Sequence, residues 1–112
     1  MVFTSSLKGR YLFKKILKRG KYYSEDNITV YAMKNNSENN YLGICVSKKH
    51  GNSVIRNKLK RWVREGYKEL ESSMKKGYYI IVLYKKKIQV DELNFNKVKS
   101  EIETAMKEVG VI

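Results

Sequence analysis

The segment RNKLKRWVRE, Arg56–Glu65, has an apolar side and a cationic side when it is drawn as a helix. The apolar side continues beyond both ends of the stretch. A stripe of this kind holds a helix against a core, so the other side is left for solvent or for a partner. The stripe consists of Ile55, Leu59, Trp62, Val63, Gly66, Tyr67 and Leu70.

The other side of this helix is crowded with cations and has little glutamate to neutralise them. The macrodipole disfavours cations near a helix start, whereas a phosphate there is held by free backbone N–H groups, the dipole and the side chains together. A solvated charged face is the alternative, and the scarcity of glutamate favours a nucleic-acid interface. The predicted binding residues are Lys48, Lys49, Arg56, Asn57, Lys58, Lys60, Arg61, Arg64 and Lys68.

Charge is distributed unevenly along the chain. The 112 residues, a length that predicts one domain over 1–112, hold 24 Lys and Arg against 11 acidic residues, a net charge of +13. Residues 1–24 contain seven cations and no acid, whereas residues 91–112 contain five acids and three lysines. Positive charge at this density is self-repulsive, and binding to a polyanion relieves the repulsion. The charge distribution therefore favours a protein that binds a polyanion over a basic but otherwise ordinary soluble protein.

The compartment is predicted from a single cysteine and from missing apolar runs. Cys45 has no partner for an internal disulfide, which favours a reducing compartment and a role as a small buried hydrophobe. No run approaches the roughly 18 apolar residues of a membrane span, and the start of the chain does not read as a secretion signal. We predict a cytoplasmic protein with no membrane partner and no small-molecule substrate.

Hydrophobic periodicity divides the chain into alternating helices and strands. Either Ser5 or Ser6 could cap the first helix, Asn52 or Ser53 could cap the second, and Gly110 ends the last. The pattern predicts an α+β fold, a small two-layer sandwich of helices on a short mixed sheet. The predicted helices cover residues 5–19, 53–74 and 94–109, and the strands cover 27–33, 41–47 and 78–84, with a weaker strand over 21–24.

No constellation in the sequence supports catalysis by the protein itself. His50 is the only histidine, and a lone histidine in a loop is more often a hydrogen-bonding residue than a general acid. Metal-ligand spacing, a phosphate-binding loop and a nucleophile motif are all missing. We therefore predict no catalytic residue and no metal site.

A second candidate site is an aromatic groove beside the first helix. Phe13 lies on that basic helix, and Tyr31 lies on the strand face opposite Ile28. If the helix packs across the sheet, Phe13, Thr29, Tyr31 and Met33 could border a groove. Aromatic rings among lysines grip single strands by stacking and phosphate contact, although these rings could instead fill the core.

The segment VSKKHGNSVIRNKLKRWVRE, Val46–Glu65, resembles the signature of the protein subunit of bacterial ribonuclease P. The opening helix and the strand Tyr78–Val82 fit the same family, so the resemblance covers nearly the whole chain. It implies the order α-β-β-β-α-β-α with a left-handed βαβ crossover, similar to the second domain of ribosomal protein S5.

The resemblance also implies a division of labour. The basic helix would face the catalytic RNA, one RNA to one protein, and a cleft containing Phe13, Leu17 and Tyr31 would hold the 5′ leader of precursor tRNA. The RNA would hydrolyse the phosphodiester with Mg²⁺, and no cofactor is expected on the protein. Two positions depart from the family pattern: Lys58 stands where many members have Arg, and Leu17 stands where an aromatic residue is often found.

Two other functions compete with this interpretation. A stand-alone small basic ribonuclease would cleave RNA without an RNA subunit. A DNA-binding module would use residues 53–70 as a recognition helix, although a strand is predicted just upstream where a partner helix would be needed.

Overall fold

The computed structural model describes all residues, Met1–Ile112. It contains three helices and five strands in an α+β arrangement, as predicted, with a short additional strand at the start. The elements are β1 (Thr4–Ser6), α1 (Arg10–Arg19), β2 (Lys21–Ser24), β3 (Ile28–Lys34), β4 (Asn40–Cys45), α2 (Ser53–Leu70), β5 (Tyr78–Tyr84) and α3 (Phe95–Glu108), with 3₁₀ turns at Lys48–His50, Glu71–Ser73 and Val90–Glu92.

The strands form one mixed sheet in the order β1-β4-β5-β3-β2. Strand β5 is central, parallel to β4 and antiparallel to β3, and the weakly predicted β2 pairs antiparallel with β3. The unit β4–α2–β5 is therefore a crossover between neighbouring parallel strands, as the family resemblance implies. Its left hand stays a prediction.

The predicted start of the first helix is wrong. Residues Thr4–Ser6 form β1, which pairs in parallel with β4, and α1 begins only at Arg10. Gly9 has φ 102°, a left-handed conformation that favours glycine, and it turns the chain from the strand into the helix. Ser5 and Ser6 therefore lie in the strand and do not cap α1.

The other predicted boundaries are close to those observed. Asn52 caps α2, its side-chain oxygen accepting from the Ile55 N–H at 3.0 Å. The predicted extension of this helix to residue 74 is wrong, because α2 ends at Leu70 and continues only as a 3₁₀ turn, Glu71–Ser73. That turn places the Glu71 carboxylate against β1, where it accepts from the N–H groups of residues 2 and 3.

Apolar side chains divide into two clusters, one on each face of the sheet. The main cluster lies between the sheet and the pair α2 and α3, and the whole predicted stripe of α2 belongs to it or packs against it, except Gly66. Gly66 is buried where α2 meets α3. A Cβ added at Gly66 would lie 3.4 Å from the Cβ of Lys99. The smaller cluster lies under α1 and is centred on Leu7, Ile16 and Ile81. The sheet therefore fixes α2 on one face and α1 on the other.

Candidate nucleic-acid interface

The cationic side of α2 lies at the surface. Its apolar stripe is buried, and Tyr84 of β5 donates its hydroxyl to the Leu59 carbonyl at 2.8 Å, which ties the helix to the sheet. Burial raises the pKa of Tyr84, with a smaller contribution from the Glu101 carboxylate, so its hydroxyl stays protonated and able to donate. The basic ridge, as we call it, comprises the half-buried Arg56 and Lys60 and the exposed Asn57, Lys58, Arg61, Arg64 and Lys68.

None of the ridge cations is neutralised within the molecule. The only ion pairs are Lys99–Glu69 at 3.3 Å and Lys107–Glu103 at 3.5 Å, and their cations belong to α3. An ion pair between Arg61 and Glu65, which the sequence would allow, does not form. The ridge therefore presents its full positive charge to solvent, which is the electrostatic requirement for binding a polyanion.

Two ridge residues are constrained in ways that the sequence does not show. The Lys58 ammonium lies over the Trp62 ring at 5.1 Å from its centroid, a cation–π contact that holds the side chain along the helix. Arg56 Nε is buried and has no hydrogen-bond partner within the protein. A buried guanidinium N–H without a partner is costly to the fold.

The residues predicted to form a cleft lie on the face of the sheet that α1 covers, and we keep the name cleft for this surface between α1 and the sheet. Phe13 and Tyr31 pack against the smaller apolar cluster, and Met33 joins them on the same face. Phe13 lies directly over Gly43 of β4, where an added Cβ would come within 2.4 Å of the ring. Gly43 thus makes room for the aromatic wall of the cleft.

The other two predicted cleft residues differ in exposure. Leu17 of α1 is 37% exposed. Thr29 is only 6% exposed, and its hydroxyl is hydrogen-bonded to that of Ser24 at 2.8 Å. Thr29 therefore supports the floor from within the sheet and does not line the open groove.

Aromatic residues that the sequence did not single out extend the cleft floor. Tyr22 of β2 pairs across strands with Tyr31, at 5.6 Å between ring centroids, and remains 67% exposed. Tyr41 and Tyr79 form a second cross-strand pair at 5.7 Å. Alternation along each strand could have shown that these rings share a face, but pairing them requires the register of the sheet.

The ridge and the cleft meet at one end of the sheet. A cavity of about 330 Å³ beside β4 is lined by Phe13 from the cleft and by Lys60 and Arg64 from the ridge. Strand β1 covers β4 only as far as Leu42, which leaves the rest of that edge open. The ridge and the cleft are therefore connected around this edge of the sheet.

A further basic segment that the sequence analysis did not include lies next to the ridge. Lys86 shares a cavity with Lys60 of the ridge, and Lys86 and Lys87 are exposed. His50 lies between this segment and the predicted residues Lys48 and Lys49, which are also exposed. The cationic surface is therefore wider than the α2 signature alone indicates.

The fold constrains the histidine and the cysteine that catalysis most often uses. Both nitrogens of His50 are engaged with backbone groups, and burial raises the pKa of the half-buried Cys45 thiol, which disfavours the nucleophilic thiolate. No three His, Cys, Asp or Glu side chains are grouped closely enough to hold a metal ion. Strand β4 and a 3₁₀ turn precede α2, so the helix-turn-helix of the DNA-binding alternative is absent. Each helix is too short or too polar to cross a lipid bilayer.

Comparisons with known proteins identify the family to which the chain is similar. The family model described as Ribonuclease P matches residues 1–110. The Ribonuclease P protein component of Clostridium botulinum strain Langeland is 35% identical over 100 residues, which cover 88% of each chain. The RNase P protein of Thermotoga maritima superposes with a TM-score of 0.80 at 33% identity and covers 89% of this chain and 93% of that one. A Staphylococcus aureus RNase P protein mutant with defective mRNA degradation activity superposes with a TM-score of 0.84 at 30% identity, covering 99% of this chain and 91% of the mutant.

Proposed function

The chain belongs to the ribonuclease P protein family, and from this premise we propose that it binds a ribonuclease P RNA and the 5′ leader of precursor tRNA. The single observation that carries the proposal is the basic ridge. Its cations are unpaired, and its apolar underside fixes them in one orientation. In this role the protein helps to remove the leader and so to mature the 5′ end of the tRNA.

The ridge is the proposed contact with the RNA subunit. Arg56, Arg61 and Arg64 carry planar guanidinium groups that suit bidentate contact with phosphate. The N–H groups at the start of α2 and the positive end of its dipole add to the attraction at the Asn52 cap.

The cleft is the proposed site for the leader. Tyr31 and the partly stacked Tyr22 offer faces for bases, and the cations of α1 surround the groove. The cavity that joins Phe13 to Lys60 and Arg64 connects this site with the ridge. A leader in the cleft and the RNA subunit on the ridge would therefore be held side by side.

We assign the chemical step to the RNA. The RNA subunit, with Mg²⁺ ions that it requires, hydrolyses the phosphodiester, and the protein supplies charge and position. The protein lowers the repulsion between two polyanions, which would otherwise require a high concentration of divalent ions.

Reconstitution with a bacterial ribonuclease P RNA tests the proposal. At low Mg²⁺ we expect cleavage of precursor tRNA only when the protein is added. The variant Arg61→Ala/Arg64→Ala should lose most of this stimulation. The matched variant Lys75→Ala/Lys76→Ala removes two exposed cations that lie outside the ridge, just before β5, and should keep the stimulation. Equal cleavage with and without the protein at every Mg²⁺ concentration would contradict the proposal.

A second candidate function is cleavage of RNA by the protein alone, because a structural relative, a Staphylococcus aureus RNase P protein mutant, is described as having defective mRNA degradation activity. The present fold offers no histidine free to act as an acid or base. Incubation of purified protein with mRNA in excess chelator separates the two functions. Cleavage that persists there and is lost in a ridge variant would favour the second.

A further inference from the structure

His50 is a buried polar residue that the proposed function does not yet use. Its side chain is 7% exposed and lies with its ring 6.2 Å from that of Tyr84, edge to face. Nδ1 accepts from the Ser47 N–H at 3.1 Å, and Nε2 lies 2.9 Å from the Lys85 carbonyl oxygen. Because a carbonyl can only accept, Nε2 carries the proton and the imidazole is neutral in this arrangement.

These two bonds join separate parts of the chain. Ser47 begins the 3₁₀ turn that leads to α2, and its hydroxyl accepts from the Lys49 N–H at 3.1 Å, so Ser47 and His50 form a reciprocal capping box. Lys85 follows β5, 35 residues further along the chain. One imidazole therefore fixes the positions of two loops that no other side-chain hydrogen bond connects.

Both loops are basic, and together they border the ridge. The paired loops contribute Lys48 and Lys49 from one side and Lys85, Lys86 and Lys87 from the other. Lys86 and the ridge residue Lys60 line one cavity, so the lysine surface continues into α2. The paired strands β4 and β5 bring the two loops to the same end of the sheet. Five ammonium groups on two short loops repel one another there, and a direct hydrogen bond between the loops opposes that repulsion.

We propose that His50 is a positioning residue that locks the Lys48–Lys49 and Lys85–Lys87 loops into one preformed phosphate-binding surface beside the ridge. This rests on the proposed function, because it assigns the surface to the RNA that the ridge binds. An apolar residue could fill the same space next to Tyr84, but it could not hold the two loops together. His50 touches no RNA itself and acts through the lysines.

Two substitutions separate the hydrogen bonds from the packing. His50→Leu keeps apolar bulk and loses both bonds. His50→Gln restores them, since glutamine at this position of a capping box accepts from the first N–H, and its amide can donate to the Lys85 carbonyl. Both variants must unfold cooperatively, as judged by urea denaturation, before binding is compared.

The expected result is a change in affinity without a change in salt dependence. His50→Leu should bind ribonuclease P RNA about three- to tenfold more weakly, because the loops must be ordered during binding. The slope of log affinity against log salt should be unchanged, since the same phosphates are contacted. His50→Gln should bind within about twofold of wild type. Wild-type affinity in His50→Leu, or a loss in His50→Gln equal to that in His50→Leu, would overturn the proposal.

A double-mutant cycle locates the effect. When the five loop lysines are replaced by glutamine, His50→Leu should cause no further loss of affinity. The matched background Lys34→Gln/Lys75→Gln/Lys76→Gln, at the other end of the sheet, should leave the full effect of His50→Leu in place. A full effect in the loop-lysine background would show that His50 acts elsewhere and would overturn the proposal.

Amide hydrogen exchange in the free protein keeps this test separate from the proposed function. The Ser47 amide should exchange about tenfold or more faster in His50→Leu than in wild type and His50→Gln. If Ser47 exchange is faster in His50→Leu while wild-type protein binds no ribonuclease P RNA, the proposed function fails, but the connection of the two loops by His50 stands as a structural feature. Equal Ser47 exchange in all three proteins would overturn the proposal that His50 holds the two loops together.

Discussion

Tyr31 lies at the centre of the proposed leader cleft and is supported from both sides. Tyr22 stacks obliquely on it from β2, and the Leu7–Ile16–Ile81 cluster packs beneath it. A ring held in this way presents one face with little loss of side-chain entropy on binding, which is the property that makes aromatic residues effective stacking platforms.

We expect Tyr31→Ala to cost about 1–3 kcal/mol in binding of precursor tRNA that carries a leader, because one base loses its stacking partner. Tyr31→Phe keeps the ring and should retain most of the affinity. The measurement is the dissociation constant of the reconstituted complex for precursor and for mature tRNA. An equal loss for mature tRNA, which has no leader, would contradict the assignment of the cleft.

Glu71 attaches the start of the chain to the 3₁₀ turn that follows α2. It is 3% exposed, and it accepts from the Val2 N–H at 2.6 Å, the Phe3 N–H at 3.2 Å and the Thr4 hydroxyl at 2.6 Å. Burial by itself would raise the pKa of this carboxyl, but the Thr4 hydroxyl and the two backbone N–H groups together lower it below its ordinary value. The charged form is therefore the one that the fold stabilises.

A depressed pKa in the folded state means that Glu71 stabilises the protein at neutral pH and that this contribution is lost as the pH falls through the folded-state pKa. We expect Glu71→Gln to lower the free energy of unfolding by about 1–3 kcal/mol near neutral pH. The difference from wild type should shrink in acid, where the wild-type carboxyl is protonated as well. Urea denaturation over a pH series measures it.

The matched control for Glu71 is Glu103→Gln, which removes one partner of an exposed i,i+4 ion pair with Lys107. Such pairs contribute roughly 0.3–0.5 kcal/mol, so this variant should differ little from wild type at any pH. A Glu71→Gln deficit that stays constant into acid would contradict the pKa argument.

Among the elements, α2 was predictable from the sequence and β1 was not. The period of α2 is a local property of its own residues, and Asn52 caps it where the sequence places a capping residue. β1 has only three residues and is a strand because β4 lies beside it. Because Leu7 continues the apolar spacing of α1, local periodicity extends the predicted helix backwards to Ser5, which lies in β1.

The candidate site also has a part that local sequence predicts and a part that depends on long-range pairing. Sequence periodicity predicted which face of α2 is cationic, because that depends on one helix. It could not predict that Tyr22 stacks on Tyr31, or that Lys86 lies beside Lys60, because both depend on the sheet order and on strand register. Long-range pairing therefore determines the extent of the interface, and local sequence determines its centre.

At the scale of the helix, salt dependence counts the phosphates that α2 contacts. We expect Arg61→Ala and Arg64→Ala each to weaken binding of the RNA subunit and to reduce the log–log salt slope by roughly 0.7–0.9, the value for one phosphate contact. Lys107→Ala, an exposed cation on α3, is the control and should leave the slope unchanged. An unchanged slope in the arginine variants would contradict direct phosphate contact.

At the scale of the whole molecule, net charge opposes folding in the absence of a partner. A charge of +13 is confined within 38 × 28 × 22 Å, and only two ion pairs, both on the surface, offset it. The Debye length is about 30 Å at 0.01 M salt and about 8 Å at 0.15 M. At low salt every cation therefore interacts with most of the others, whereas at physiological salt only near neighbours do.

This predicts opposite responses of the free protein and of its complex to salt. Raising sodium chloride from about 0.01 M to about 0.5 M should raise the unfolding midpoint of the free protein, because the repulsion is screened. The same change should weaken RNA binding, because released counterions no longer favour association. Thermal denaturation and RNA titration over one chloride series measure both; chloride is preferred, because sulfate strengthens burial independently of charge. An unfolding midpoint that fell with rising salt would mean that attraction between opposite surface charges outweighs repulsion among the cations. The basic surface would then be neutralised within the protein and would not be available to a polyanion.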